Sequence, residues 1–317
     1  MRAKAGSIYG SEGETGSAIR TFSVNGHVLN APKPVPGLYL VATPIGNLSD
    51  ITLRALETLA GVDVIACEDT RITHRLTGRY LIPAQLTPYH EHNAAAARPK
   101  ILEKLAQGAS VALVSDAGTP LISDPGFKLV REACAAGHSV IAVPGASSVL
   151  TALSVAALPT DRFFFEGFLP SKQNARRARL AELARIDATL VVFESGNRVQ
   201  DTLADLADIM GAREAAICRE LTKLHEEITR APVAELAKRA DNLETRGEFV
   251  LVIGPPAAGT KAMAENELDE VLRSSLQRDS VKDAVAHAVE VSGRSRREVY
   301  ARALELAMES RDRHGED

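Results

Sequence analysis

The residues best suited to chemistry lie within residues 111–126, which read VALVSDAGTPLISDPG. An apolar run ends there at Ser115 and Asp116, and the Gly-Thr-Pro segment at residues 118–120 can continue neither a strand nor a helix. The pattern predicts a buried parallel strand followed by a tight loop. Because small ligands bind beyond the carboxyl ends of strands in open α/β sheets, we expect a ligand site at this loop.

A second loop of the same kind follows the apolar run at residues 38–42. It reads TPIGNL at residues 43–48 and combines a proline, a glycine and polar side chains. Since parallel strands place their carboxyl ends at one edge of the sheet, the two loops are predicted to wall one pocket.

The composition predicts a reduced, cytoplasmic protein of two or three domains. With 317 residues and 45% hydrophobic content, the chain can bury a full core. Cys67, Cys134 and Cys218 have no Cys-x-x-Cys spacing, so neither a disulfide framework nor a metal site is expected. The net charge of -4 and the pI of about 6.1 argue against binding nucleic acid by overall positive charge, which leaves only local basic patches.

No export signal and no membrane segment are predicted. The N-terminus carries charges and glycines without the apolar core of a secretory signal. One long uncharged stretch, residues 140–158, is interrupted by Pro144 and Gly145, and this pattern predicts a strand, a turn and a helix.

The distribution of apolar and breaking residues divides the chain into four segments. Residues 1–36 mix glycine, serine, proline and charge, which predicts a flexible extension. Residues 37–158 predict a five-stranded α/β domain, and residues 159–256 a second, more mixed α/β domain with an edge strand near residues 226–229. Residues 257–317 predict a helical module after a short linker. The other predicted strands cover residues 38–42, 62–67, 85–89, 111–114, 139–143, 163–165, 189–193, 215–219 and 249–253.

Common nucleotide and hydrolase motifs are absent. The chain has no G-x-G-x-x-G after its first strand and no G-x-x-x-x-G-K-[ST], H-E-x-x-H or G-x-S-x-G. What remains is an ordered series of short motifs, most of them at predicted strand ends: TPIGNLSD, ACEDTR, YHEHN, SDAGTPLISDPG, PGASS, EGFLP, ESGNR and RELTK.

This series resembles the RsmI group of the tetrapyrrole-methylase superfamily, bacterial enzymes that methylate a ribose 2'-hydroxyl of a cytidine in small-subunit ribosomal RNA. The resemblance covers residues 37–253 and extends to residues 293–300 of the tail. It implies a two-domain, tetrapyrrole-methylase-like α/β fold with a C-terminal helical module. It also implies a cytoplasmic homodimer that uses S-adenosylmethionine. The implied substrate is a decoding-region cytidine of 16S ribosomal RNA, either free or in the small ribosomal subunit, and DNA is not an expected partner.

By this resemblance, S-adenosylmethionine lies folded between the two α/β domains and contacts mainly backbone atoms. Glycine and alanine in the first loop let the backbone approach, and prolines stiffen the loops. For Thr119, Ser148 and Ser195 the alternative is a cap or turn role, and for Asp116 an Asx-turn and a polar contact to ligand both stay open. The residues expected to bind the cofactor are Thr43, Pro44, Ser115, Asp116, Ala117, Gly118, Thr119, Ile122, Ser147, Ser148, Glu194, Ser195 and Leu221.

Methyl transfer to a ribose hydroxyl requires an in-line approach and the loss of a proton, so positioning is expected to dominate. His90, Glu91 and His92 form a compact polar group that suits substrate positioning or proton acceptance. The candidate catalytic residues are His92, Glu220 and Lys223, the last only if burial lowers its pKa. The sequence does not choose among the three.

Two basic clusters are predicted to hold RNA phosphates: Lys172 with Arg176, Arg177 and Arg179, and Arg296 with Arg297. The alternative for each is a solvated helix face. Because tryptophan is absent and aromatic residues are few, recognition is expected to depend on shape and phosphates rather than on base stacking.

Two other functions remain open from the sequence. One is a methyltransferase of the same fold that acts on a tetrapyrrole or another small acceptor. The other is an RNA-binding ribosome-assembly factor that has no catalytic activity.

Overall fold

The computed structural model describes residues 20–256, 265–292 and 294–312. Within these residues the chain forms an N-terminal hairpin, two five-stranded sheets with flanking helices, and a C-terminal group of helices. None of the helices in this described part is long and apolar enough to cross a membrane.

The hairpin consists of β1 (Arg20–Val24) and β2 (His27–Ala31), which pair antiparallel. Its turn is Asn25-Gly26, and both residues have the positive φ that a tight hairpin turn requires. Phe22 is buried in the same core as Leu56. The prediction of a flexible extension is therefore wrong for residues 20–36, because an apolar side chain anchors the hairpin to the first domain. Residues 1–19 lie outside the described part.

The first sheet is entirely parallel, as predicted. Its order is β5-β4-β6-β3-β7, and β6 is buried along its whole length. The strands are β3 (Gly37–Val41), β4 (Val64–Cys67), β5 (Leu86–Pro88), β6 (Ser110–Val114) and β7 (Val140–Val143). The helices are α1 (Leu53–Gly61), α2 (Thr70–Arg79), α3 (Ala94–Ala106), α4 (Phe127–Ala135) and α5 (Ser148–Ala156).

The second sheet is mixed, again as predicted. Its order is β11-β10-β12-β9-β8; only β8 and β9 pair parallel, and β11 is an edge strand. The strands are β8 (Phe163–Phe168), β9 (Thr189–Ser195), β10 (Glu214–Arg219), β11 (Glu227–Pro232) and β12 (Glu248–Ile253). The helices are α6 (Gln173–Leu183), α7 (Val199–Met210) and α8 (Val233–Lys238).

Helix α5 joins the two α/β units. It follows the last strand of the first sheet, yet its buried face, with Val149 and Ala152, shares a core with Val191 and Val252 of the second sheet. Ile45, from the loop after β3, belongs to the same core. Apolar packing therefore holds the loop edge of the first sheet against the second sheet.

The C-terminal group consists of α9 (Glu265–Leu276), α10 (Val281–Ser292) and α11 (Arg296–Asp312). Its buried residues include Leu268, Val299 and Leu306. Ser295 and Glu298 cap α11 reciprocally, each backbone N–H donating to the other side chain. Arg185 forms an ion pair with Glu298 at 2.7 Å, which connects this group to the second α/β unit.

Candidate active site

A cavity of about 360 Å³ lies between the loop edge of the first sheet and the second sheet. This volume is within the range of small-molecule sites. Most of the residues predicted to bind a cofactor line it, from both sides: Ala117, Gly118, Thr119, Ile122, Ser147, Ser148, Glu194, Ser195 and Leu221. Because both domains contribute, the cavity forms only when the two units pack together.

The loops after β3 and β6 are bonded directly to each other. Thr43 and Gly118 exchange two backbone hydrogen bonds, of 2.9 and 3.0 Å, and the Thr43 hydroxyl donates to the Ser115 carbonyl. The Thr119 hydroxyl donates to the Ala146 carbonyl, which ties in the loop after β7. Gly118 has a φ of +80°, a conformation in which other residues are strained. Three strand-end loops are thus held as one surface.

Thr43, Pro44, Ser115 and Asp116 are not among the residues that line the cavity. Thr43 and Ser115 are buried behind the lining, where their side chains bond backbone carbonyls. The structure therefore places Thr43 and Ser115 behind the cavity lining, as supports of the loops.

Asp116 links two strand ends. Its carboxylate accepts a hydrogen bond of 2.9 Å from the backbone N–H of Asp69, in the loop after β4. Burial, and then the nearby charge of Asp69, raise its pKa above the usual range despite that hydrogen bond. The geometry is a bridge between neighbouring loops, which differs from both the Asx-turn and the direct ligand contact that the sequence leaves open.

The loop that follows carries further strain. Leu121 and Ser123 have positive φ angles of 75° and 63°, and each costs about 1–3 kcal/mol. Asp124 comes next and lines the cavity. Burial raises its pKa, hydrogen bonding by the Ser115 hydroxyl lowers it, and the charge of Asp116 raises it again, with a net increase. An aspartate before a proline is typical of a helix N-terminus, but α4 begins only after Gly126.

Glu194 lies on the second-domain side of the cavity and is 2% exposed. Its carboxylate accepts hydrogen bonds from the Ser195 backbone at 2.8 Å and from the Thr202 hydroxyl at 2.7 Å, and it lies 3.4 Å from Arg198. The hydrogen bonds from Ser195 and Thr202 fix the carboxylate in place, so Glu194 holds the ESGNR loop in shape.

Aromatic side chains that the sequence prediction missed form the apolar wall of the cavity. The rings of Phe168 and Phe193 contact each other edge to face at 5.6 Å, and Phe249 also lines the cavity. The sequence signal that could have identified Phe193 is its position directly before Glu194, which was itself predicted to bind the cofactor. Only the sheet order, however, brings Phe249 of β12 beside β9.

Glu220 and Lys223 form an ion pair beside the cavity. The Lys223 ammonium donates to Glu220 at 2.9 Å and to Glu248 at 2.8 Å. Burial lowers the pKa of Lys223, but hydrogen bonds and charges from the two glutamates outweigh it, and the net pKa is raised. The condition for Lys223 to act as a base is a lowered pKa, and the structure contradicts it.

This ion pair positions the RELTK loop against the loop after β3. A Cβ at Gly46 would lie 2.4 Å from Lys223 Cγ, and the Asn47 backbone N–H donates to the Thr222 hydroxyl at 3.1 Å. Glu220, with a positive φ of 51°, also accepts a hydrogen bond from the Glu248 backbone. In this geometry Glu220 and Lys223 therefore position the RELTK loop.

His92 is exposed in the turn between β5 and α3 and is not among the cavity residues. Its ring lies 6.1 Å from the ring of His90. The structure brings neither histidine to the cavity.

The first basic cluster is largely neutralised within the protein. Arg176 is 3% exposed and forms an ion pair of 2.7 Å with buried Asp205, so the prediction that it contacts RNA is wrong. Arg177 pairs with Asp205 and Asp208, and Arg179 pairs with Glu166 and Glu182. Lys172, Arg296 and Arg297 are exposed, as a phosphate contact requires.

Comparison with known proteins shows which families and relatives this chain is similar to. The tetrapyrrole (corrin/porphyrin) methylases match residues 37–237, and the RsmI C-terminal HTH domain matches residues 262–307. Ribosomal RNA small subunit methyltransferase I of Mesorhizobium japonicum is 47% identical over 86% of this chain and 92% of its own length. The protein of that name from Escherichia coli O157:H7 is 45% identical over 84% of this chain and 94% of its own length.

The fold is also similar to that of a solved structure. Uroporphyrin-III C-methyl transferase from Thermus thermophilus, in complex with S-adenyl homocysteine, superposes with a TM-score of 0.51 at 20% sequence identity. The match covers 69% of this chain and 97% of that chain. At this identity the likeness shows the two-domain fold.

Proposed function

Because the chain belongs to the tetrapyrrole methylase family and, within it, to the RsmI group of methyltransferases, we propose that it methylates ribosomal RNA. The proposed reaction transfers a methyl group from S-adenosylmethionine to a ribose 2'-hydroxyl of a decoding-region cytidine in 16S ribosomal RNA. The proposal includes two expectations from the resemblance, a homodimer and a cytoplasmic location.

The observation that carries the proposal is the cavity between the two domains. Its floor is the bonded surface of strand-end loops around Gly118, and its opposite wall is aromatic. The small residues Ala117 and Gly118 let a ligand approach the loop closely, and Phe168 and Phe193 suit the apolar surface of S-adenosylmethionine. S-adenosylmethionine would supply an electrophilic methyl group when bound in this cavity.

The protein residues then hold both reactants in place. Thr43 and Thr119 fix the loops, Glu194 fixes the facing loop, and Lys223 fixes the RELTK loop. Positioning of this kind contributes up to about 7–11 kcal/mol to a reaction between two bound partners.

The exposed arginines at the start of α11 are proposed to bind RNA phosphates. The double variant Arg296→Ala/Arg297→Ala is expected to bind the small subunit more weakly. The slope of log K against log salt concentration is expected to become less steep by about 1.4–1.8, the value for two lost phosphate contacts. Affinity for S-adenosylmethionine is expected to stay unchanged, because the cavity is formed by other elements. Filter binding at several salt concentrations measures the slope.

The matched control is Lys100→Ala/Lys104→Ala, which removes the same charge from α3. Equal losses in the two double variants would show that only net charge matters and would contradict a phosphate site on α11.

The proposed function itself is tested by methyl transfer. Small subunits from cells that lack this gene are incubated with the purified chain and labelled S-adenosylmethionine, and the RNA is mapped by mass spectrometry. The expected result is one ribose methyl group on a decoding-region cytidine. Transfer to a porphyrinoid but not to RNA, or binding to RNA without any transfer, would contradict the proposal.

A further inference from the structure

Helix α4 begins beside the cavity with an exposed aromatic ring. Phe127 is the first residue of the helix and is 65% exposed. It follows Asp124, which lines the cavity, by three residues, and three residues span at most about 11 Å. The ring therefore lies close to the loop that forms one wall of the cavity.

The cavity opens to solvent on the side of this loop. Ile122 and Phe168 line the cavity from the first and the second sheet, and both are exposed. Apolar side chains that line a cavity and still contact solvent mark its opening. Because a target nucleotide in RNA belongs to a longer chain, its neighbours have to lie on the surface beside this opening, which includes the start of α4.

The packing of α4 does not account for the ring of Phe127. The helix buries Leu129 and Ala133 in the same core as Leu113 of β6, and Phe127 lies about 200° around the helix axis from Leu129. Phe127 belongs to none of the apolar cores of the described residues. A single exposed ring is common on protein surfaces, so the surroundings of this one have to decide its role.

Two cations lie beside the ring. The Arg131 guanidinium lies over the Phe127 ring, 5.8 Å from its centroid, and Lys128 is the next residue of the helix. Both cations are exposed, and neither forms an ion pair with another described residue. Glu132, the acid of this helix, is already paired with Arg98 at 2.9 Å. The start of α4 therefore keeps its positive charge, unlike the neutralised arginines of α6.

An aromatic face with unpaired cations beside it has the chemistry that binds single-stranded RNA, because bases stack on the ring and cations contact phosphates. We propose that Phe127 stacks on an unpaired base next to the target nucleotide and that Lys128 and Arg131 hold the adjoining phosphates, an inference that rests on the proposed function. The scarcity of aromatic residues argues against extensive stacking, and one stacked base agrees with that expectation.

The first test separates binding from chemistry by measuring KM and kcat for methyl transfer to small subunits from cells that lack this gene. Phe127→Ala is expected to raise KM about 5- to 150-fold, the range for one lost stacked base. The value of kcat is expected to change little, because the stacked base takes no part in the methyl transfer. Phe127→Tyr, which keeps a ring face, is expected to keep the KM of the unmodified chain. An unchanged KM in Phe127→Ala would overturn the proposal.

The matched control is Phe163→Ala. Phe163 is also exposed, by 44%, but it lies at the opposite end of β8 from the cavity residue Phe168. This variant is expected to keep the KM of the unmodified chain, and an equal rise in KM in both alanine variants would contradict a specific contact at Phe127. Calorimetry is expected to show full affinity for S-adenosylmethionine in both, because neither residue lines the cavity.

Photocrosslinking identifies the molecule that contacts the ring. With small subunits added, p-benzoylphenylalanine in place of Phe127 is expected to crosslink to 16S ribosomal RNA close to the methylated cytidine, and the same group in place of Phe163 is expected not to. A crosslink from position 127 to a second copy of the chain would assign the ring to a subunit interface and overturn the proposal. A crosslink to ribosomal protein alone would also overturn it.

The two proposals fail in different ways. If the unmodified chain methylates the subunits and Phe127→Ala has the same KM, the role of Phe127 is wrong while the function stands. If the unmodified chain transfers no methyl group, the proposed function is wrong and the role of Phe127 fails with it.

Discussion

The variant Gly118→Val is expected to lose affinity for S-adenosylmethionine by at least about 100-fold, or about 2.7 kcal/mol, while the protein stays folded. A Cβ at this position finds Ile45 Cγ2 at 3.4 Å and nothing closer, so the fold accommodates the first carbon. The remaining methyl groups occupy space between Gly118 and Ile45, both of which line the cavity. The positive φ adds strain that a β-branched residue tolerates poorly. Isothermal titration calorimetry measures the loss.

The matched control for this variant is Gly108→Val. Gly108 also has a φ of +80°, but it lies in the turn between α3 and β6, and no atom lies within 4 Å of the position that a Cβ would occupy there. The backbone strain is therefore the same, and no cavity is filled. Gly108→Val is expected to lower stability and to leave cofactor affinity unchanged. A folded Gly118→Val protein with full affinity would contradict the cofactor site.

The variant Asp205→Ala is expected to lower the free energy of unfolding by about 3–5 kcal/mol, because it leaves the buried Arg176 guanidinium without its partner. Burial raises the pKa of Asp205, but Arg177 and Arg176 outweigh it and the net pKa is lowered. This contribution to stability is complete above the unfolded-state pKa of about 3.9 and is lost as the pH falls through the lower folded-state value. Urea unfolding at pH 7 and at acidic pH measures both effects.

The matched control is Asp208→Ala, which removes an exposed partner of Arg177. That pair is solvated, and such pairs contribute about 0–1 kcal/mol. Similar losses of stability for Asp205→Ala and Asp208→Ala would contradict the buried ion pair between Arg176 and Asp205. Arg176 would then again be a candidate for RNA contact.

The strands and their loops were predictable because their signals are local. The apolar run before Asp116 and the Gly-Thr-Pro break after it define β6 and its loop from adjacent residues alone. The same holds for α5, whose cap Ser147 follows a Pro-Gly break. Strand-end loops also share one edge of a parallel sheet, which is why most of the cavity residues from the first domain follow from motif order.

The errors have two causes. The burial of Arg176 has a local signal, since it lies on the helix face of Leu180 and Leu183, at spacings of four and seven residues. The density of positive charge in this segment masks that periodicity. The placement of Asp124 at the cavity, by contrast, depends on its contact with Ser115 and on the packing of a second sheet across the cavity. Those pairings are long-range and have no signature in neighbouring residues.

The proposed cofactor site is tested most directly by a crystal structure of the full chain grown with S-adenosylmethionine. We expect density for the nucleoside between the Gly118 loop and the wall of Phe168 and Phe193, with backbone contacts from the loops after β3 and β6. Density for the nucleoside elsewhere on the protein, with this cavity containing only solvent, would contradict it.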